Sequence, residues 1–274
     1  MNDQDLLPYS VLAADIANSS AHITADQRQL REDFRFILTA CLTRLGIELA
    51  APGLRDDGDG ALGLVPASVP RERLVADLPR EFAMGLARRN SDRLDSHRLR
   101  VRFALHHGLA QPSGNGWVSS AINTTAGILD ADEGRLLLRH VPTANLVLLL
   151  SQAMYDDTVH DQRRDLHPAD FAPMRIGPGR KGAGTALWVC LWGTTQSAPS
   201  PEVLTAIARE TGARPDEPDP GKSGPGESGP HEPGPAQPDP AGPSSPGGSS
   251  AGFVVTTGDR SPVIIGDVDT LNFG

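Results

Sequence analysis

Two acids stand where they could do chemistry. Asp15 ends the apolar run YSVLAAD, and Asp59 sits at the tip of RDDGDGALG. If the run is a strand and the Gly/Asp segment a neighbouring hairpin, their acidic ends face one point. Two carboxylates and a backbone carbonyl, here that of Ile16, suit a hard cation such as Mg²⁺ carried with a triphosphate. A pair of such ions can activate an attacking oxygen and stabilise the leaving one. The same residues also have a plainer account, in which Asp15 caps a loop and Asp56, Asp57 and Asp59 are turn formers. Other reactive residue types carry less. His106 and His107 are adjacent on a strand pattern and so point to opposite faces, one core and one exposed. GPGRKGAGT lacks the spacing of a phosphate loop and connects two strands rather than opening a helix. Cys41 and Cys190 have no metal-ligand spacing and read as reduced core thiols.

The elements that must position these groups are legible in outline. Tyr9 to Ala14 reads as a strand. Thr24 to Leu45 reads as a helix, with Leu30, Phe34, Ile37, Leu38, Cys41 and Leu42 recurring at three- and four-residue spacing. GLRDDGDGALGLVP follows as a hairpin, and Val69 to Arg89 as a helix with Pro70 in its first turn. LRVRFALHHGL alternates as a strand does, and Val118 to Leu129 is helical. Asn145 to Leu150 is a strand, Ser151 to Val159 a helix. Met174 to Ile176 and Leu187 to Trp192 close the domain as an antiparallel pair, with Trp188 and Trp192 on one face as core. The plan is α+β, a mainly antiparallel sheet with flanking helices.

Composition sets the boundaries. The chain has 274 residues and a net charge of -9, which argues against a general binder of DNA or anionic membrane. Aromatic residues make up only 4%, so the core must rest on aliphatics. EGRLLLRHVPTANLVLLLSQAM is apolar but broken by Pro142, so it reads as buried structure. The N-terminus lacks the basic and apolar regions of a signal peptide, which points to the cytoplasm. A folded domain is expected over residues 8–194 and a short helical extension over 195–211. Residues 212–250 form a Pro/Gly-rich linker that cannot bury enough apolar surface to order itself. Residues 251–274 form a β-prone tail, too short to fold alone, that could add to a sheet edge of this domain or of a protein partner.

Four segments in order resemble the class III adenylyl and guanylyl cyclase homology domains, in a divergent bacterial form. They are Asp-Ile after strand one with Gly-Asp-Gly in the hairpin, LRVRFALHHG, GWVSSAINTTAGIL, and Lys181-Gly182 before the last strand. Asp15 and Asp59 stand 44 positions apart, the separation typical of that family's metal-binding aspartates. The resemblance implies a ferredoxin-like, palm-type fold and a head-to-tail homodimer, or pairing with a cyclase-like partner subunit. It implies a nucleoside triphosphate substrate and two Mg²⁺ or Mn²⁺ ions on Asp15, Ile16 and Asp59. Arg55 and Gly116 fall at the base-reading positions, where neither residue is the usual one. Asn123 matches the ribose-orienting Asn, and Lys181 a contact to the terminal phosphates. The position of the transition-state arginine is held by Gly127, so another arginine (88, 89, 100, 102 or 135) would have to replace it. Two functions remain open: a cyclase making a 3',5'-cyclic nucleotide and pyrophosphate, or a degenerate nucleotide-binding or dimerisation module signalling through its tail. Divergent bacterial members make cyclic pyrimidine nucleotides in antiphage signalling, so an unusual base-reading pair does not by itself imply inactivity.

Overall fold

Apolar alternation and helical periodicity build the domain as expected in outline. A computed structural model describes residues 5–18, 24–56, 58–113, 116–160, 162–178 and 184–213. Lys181, nearly all of the linker and the whole tail lie outside the described residues.

Strand β1 (Leu7–Ile16) is followed by helix α1 (Thr24–Arg44), then by the hairpin of β2 (Arg55–Asp56) and β3 (Gly60–Pro66). A π-helical turn (Arg73–Asp77) leads into α2 (Leu78–Asn90). The long strand β4 (Val101–Ser113) turns back through β5 (Gly116–Val118) into α3 (Ser120–Leu129). Trp117 and Val118 therefore belong to a hairpin, and the helix starts two residues later than its apolar pattern suggests. Ser119 caps it by accepting from the Ala121 N–H at 3.0 Å. Helix α4 (Asp132–His140), not separated in the sequence pattern, precedes β6 (Leu146–Ser151) and α5 (Gln152–Thr158). Strands β7 (Ala172–Arg175) and β8 (Ala186–Trp192) pair antiparallel, and α6 (Pro201–Thr211) follows.

The sheet runs β2-β3-β1-β4-β6-β8-β7, with β5 paired to β4 off that path. Every pairing is antiparallel except β4 with β6. Both faces are covered, each by its own apolar cluster. On one face Leu12, Ala14, Phe103 and Leu148 meet Leu30, Phe34 and Leu38 of α1 and Phe82 and Leu86 of α2. On the other, Ala13, Ala104, Val147 and Leu149 meet Ile128 in the last turn of α3, Leu137 of α4 and Ile207 of α6. Side chains alternate across a strand, so Asp15 and Arg102 belong to this second face. Cys41 and Cys190 are buried free thiols, and Trp188 and Trp192 pack against the first cluster. The two histidines depart from expectation: neither is exposed. His106 Nδ1 lies 2.8 Å from Ser151 Oγ, and His107 Nε2 lies 3.1 Å from Asp157. The two rings instead stack on each other, with centroids 5.7 Å apart and planes 24° apart, half-buried beside Ser151 of β6 and Asp157 of α5.

Candidate functional site

The end of β1 gathers the charged groups. In the ladder Asp15 stands between Gly60 of β3 and Arg102 of β4. One step on, the Ile16 N–H donates to the Asp59 carbonyl at 3.0 Å. The two acids thus sit at one end of the sheet, close enough that the Asp59 charge acts on Asp15. The glycines of Gly-Asp-Gly each have a reason. Gly58 turns the hairpin with φ +85°, a left-handed value that penalises a Cβ. A Cβ on Gly60 would lie 3.0 Å from the Ala14 carbonyl oxygen, so glycine lets the hairpin close against β1 without pushing that carbonyl aside.

Arg102 dominates the site. Its Nε donates to Asp15 Oδ1 at 2.9 Å, its Nη2 to Asp15 Oδ2, and its Nη1 to the Leu129 carbonyl at 2.8 Å. The side chain is 3% exposed, against 18% for Asp15. Burial raises the Asp15 carboxyl above the ordinary value; the Arg102 guanidinium and, more weakly, Arg135 pull it back down, while Asp59 pushes it up. The second cation, Arg135 on α4, donates to the Asp130 carbonyl at 2.8 Å and to Asp132 at 3.1 Å. It is about half exposed. Of the five arginines weighed from sequence, these two act on Asp15. Arg100 is occupied in holding α4, donating to the carbonyls of Leu138, Val141 and Ala144. Arg89 is tied to Asp33, and Arg88 is exposed on α2 across the sheet.

The remaining candidates spread along the sheet. Arg55 of β2 is exposed and sits across β3 from Ala13, at the Asp15 end. Gly116 pairs with Ser113 at the opposite end, beside Trp117, whose ring meets Tyr9 edge-on at 4.8 Å. Asn123 is exposed in the first half of α3, the half whose Ala121 lies over Gly108. Gly108 faces Tyr9, and six strand residues from Tyr9 to Asp15 span roughly 20 Å. A single chain therefore does not bring Asn123 or Gly116 to the acids. Gly127 is buried within α3.

The donor chemistry suits a hard divalent cation, since carboxylate and carbonyl oxygens are its preferred ligands. Both Asp15 oxygens accept from Arg102, which leaves one lone pair on each for a cation that shares the carboxylate with the guanidinium. Among the described residues no group of three or more His, Cys, Asp or Glu side chains could hold a metal ion. An ion here would need further oxygens from a bound phosphate.

No family model matches the chain, and no curated protein matches it in sequence. Solved structures do. The chain is similar to a bacterial light-regulated adenylyl cyclase at 14% identity and a TM-score of 0.49, covering 76% of this chain. It spans only 59% of the length of that cyclase. It is also similar to an adenylate/guanylate cyclase/hydrolase from Silicibacter pomeroyi (13%, TM-score 0.47, 70% of this chain and 99% of the other). A third is the guanylate cyclase domain of RhGC from Catenaria anguillulae in complex with GTP (16%, TM-score 0.45, 68% and 97%).

Proposed function

We propose that residues 8–194 act as a divergent nucleotidyl cyclase, converting a nucleoside triphosphate to a 3',5'-cyclic nucleotide and pyrophosphate. One observation carries the reading: the ladder sets Asp15 beside the Asp59 hairpin and places Arg102 against Asp15. In this reading Asp15, Asp59 and the Ile16 carbonyl hold two Mg²⁺ or Mn²⁺ ions, which supply charge for the phosphates and acidify the attacking hydroxyl. Arriving phosphates draw Arg102 off Asp15, exchanging one anion for another on the same guanidinium. Arg135 adds a second cation beside it. Asn123 and Gly116 serve the site of a second copy, which fits their exposed or half-exposed places far from Asp15 in their own chain. Arg55 and Lys181 are assigned to the substrate.

A second reading is favoured by the ion pair itself. Arg102 engages both Asp15 oxygens, and Gly127 brings no cation. A module that binds a nucleotide or a second copy without turnover, and signals through residues 251–274, needs no more. Incubating the full chain with each of the four ribonucleoside triphosphates and Mg²⁺ or Mn²⁺ separates the two, with cyclic product and pyrophosphate read by mass spectrometry. Product from the wild type, lost in Asp15→Ala and Asp59→Ala, establishes the cyclase and names its base. No product from a folded dimer with any triphosphate refutes catalysis.

A further inference from the structure

Cyclisation needs positive charge beside the phosphate under attack. As the 3'-oxygen bonds to the α-phosphorus, the bond from that phosphorus to the oxygen bridging it to the β-phosphate breaks. The electron pair leaves with pyrophosphate, and the 3'-hydroxyl proton passes to water. Negative charge spreads over the transferred group meanwhile, and a cation fixed beside it lowers the barrier. Helix α3 carries no basic residue, and its Gly127 is buried without a side chain.

The turn from α3 to α4 gathers cations at the Asp15 end of the sheet. Arg102 grips the Leu129 carbonyl there, and Arg135 grips the next one, that of Asp130, each at 2.8 Å. The two guanidiniums differ in freedom. Arg102 is 3% exposed and holds Asp15 through two further bonds. Arg135 is 49% exposed. Besides the carbonyl it holds Asp132, three residues before it on the same helix, at 3.1 Å. An exposed pair of that kind is weak, so a phosphate, with its greater charge and paired oxygens, takes the guanidinium from Asp132 at little cost. The charge of Arg135 already reaches Asp15 of its own chain, where it draws the carboxyl pKa down.

We infer that Arg135 is a catalytic residue, the cation that the α-phosphate meets in the transition state, and that it serves the Asp15 of its own chain. The inference rests on the cyclase reading. It divides the site unevenly: Asp15, Asp59 and Arg135 come from one chain, and Asn123 from a second copy.

The test uses the full chain, the triphosphate that the wild type turns over, and its 3'-deoxy counterpart, which has no hydroxyl to cyclise. Arg135→Met lowers kcat about 10²- to 10³-fold and leaves KM within about threefold. Calorimetry with the 3'-deoxy compound shows its affinity changed no more than KM. Arg135→Lys keeps a charge without the fork and recovers part of the loss. A residue that only ties the α3–α4 turn together would lower the urea midpoint and leave kcat of the folded chain intact. Mixing variants identifies the chain that supplies the cation. Asp15→Ala and Asn123→Ala chains restore product together, because one site of the mixed dimer is whole. Asp15→Ala with Arg135→Met restores none, because the chain that keeps Asp15 lacks Arg135. Wild-type turnover with kcat unchanged in Arg135→Met overturns this inference alone. So does a loss carried wholly by KM and by affinity for the 3'-deoxy compound, or product from the Asp15→Ala and Arg135→Met mixture. No product from the wild type overturns the cyclase reading and this inference with it.

Discussion

Replacing Arg102 by Met tests the site's electrostatics most directly. The substitution keeps the buried stem and removes three donated hydrogen bonds, two to Asp15 and one to the Leu129 carbonyl. Asp15 is then left largely buried beside the charge of Asp59, without its main counter-ion. Stripping one partner from a buried pair costs about 3–5 kcal/mol. Because Asp15 keeps 18% exposure, the lower end, about 3 kcal/mol, is expected at neutral pH. The pH dependence has a definite sign. A carboxyl whose folded pKa is raised binds its proton more tightly in the folded state, so its stabilising contribution is present in acid and is lost as pH rises. The window opens near the ordinary value of 3.8 and closes above the raised one. Removing Arg102 raises the Asp15 pKa further and widens that window, each unit of widening being worth about 1.4 kcal/mol. Urea unfolding of the full chain at pH 7.5 and at pH 5 therefore shows a larger deficit for Arg102→Met at the higher pH. Adding Asp15→Asn to the variant recovers most of the neutral-pH loss. An equal deficit at both pH values, or no recovery in the double variant, refutes the assignment of Arg102 as the counter-ion of a buried carboxylate.

Other expectations are independent of that pair. A Cβ on Gly108 would lie 2.8 Å from the Ala121 Cβ, so Gly108→Ala should cost about 1–3 kcal/mol in urea unfolding. Much of that returns in the double variant Gly108→Ala/Ala121→Gly, less the roughly 1 kcal/mol of a helical glycine; no return would mean that the contact is not what matters. Burial pushes the Cys41 thiol up to about 11 and the Cys190 thiol up to about 12, so neither reacts with a disulfide reagent at pH 8 until denaturant is added. Prompt labelling of the native chain would contradict their burial. Asp59→Ala should remove metal-dependent binding of triphosphate from a chain that still unfolds cooperatively in urea; binding retained at the wild-type level would contradict the assignment of Asp59 to the ion site.

The strands and large helices were legible because each carries a strong local signal. In α1 the periodic residues Leu30, Phe34, Ile37, Leu38, Cys41 and Leu42 are all buried, and YSVLAAD needs only a short apolar run that ends at an acid. What failed to show was everything set by a partner distant in sequence. LRVRF alternates, and alternation alone would send Arg100 and Arg102 to a solvated face. Arg102 is instead 2% exposed, because α3 and α4 cover that face. A Cβ at Gly134 would come within 3.3 Å of the Arg102 Cδ. The pairing of Asp15 with Arg102 depends on strand register across 87 residues, which no single-sequence pattern encodes. Glu133 looks like an ordinary acid in the first turn of a helix; only α6 and the loop at Gly177, whose N–H it accepts, make it buried. Helix α4 is not legible because it has nine residues, follows an Ala131 that supplies no capping side chain, and merges by composition with the apolar run after it.

The position of β1 bears on how the chain is made. Its residues pair with β3 on one side and, from Leu7↔Ala110 to Ile16↔Val101, with β4 on the other. During synthesis the strand must wait for about a hundred residues before its second edge can be filled. At ribosomal rates of about 5–20 residues per second the wait is on the order of 5–20 s. Once β3 has been made and paired, Val11, Leu12 and Ala14, all almost wholly buried in the finished domain, stand on the unpaired edge of the β1–β3 pair. That interval is when a nascent chain is open to strand addition by a neighbour on the same message.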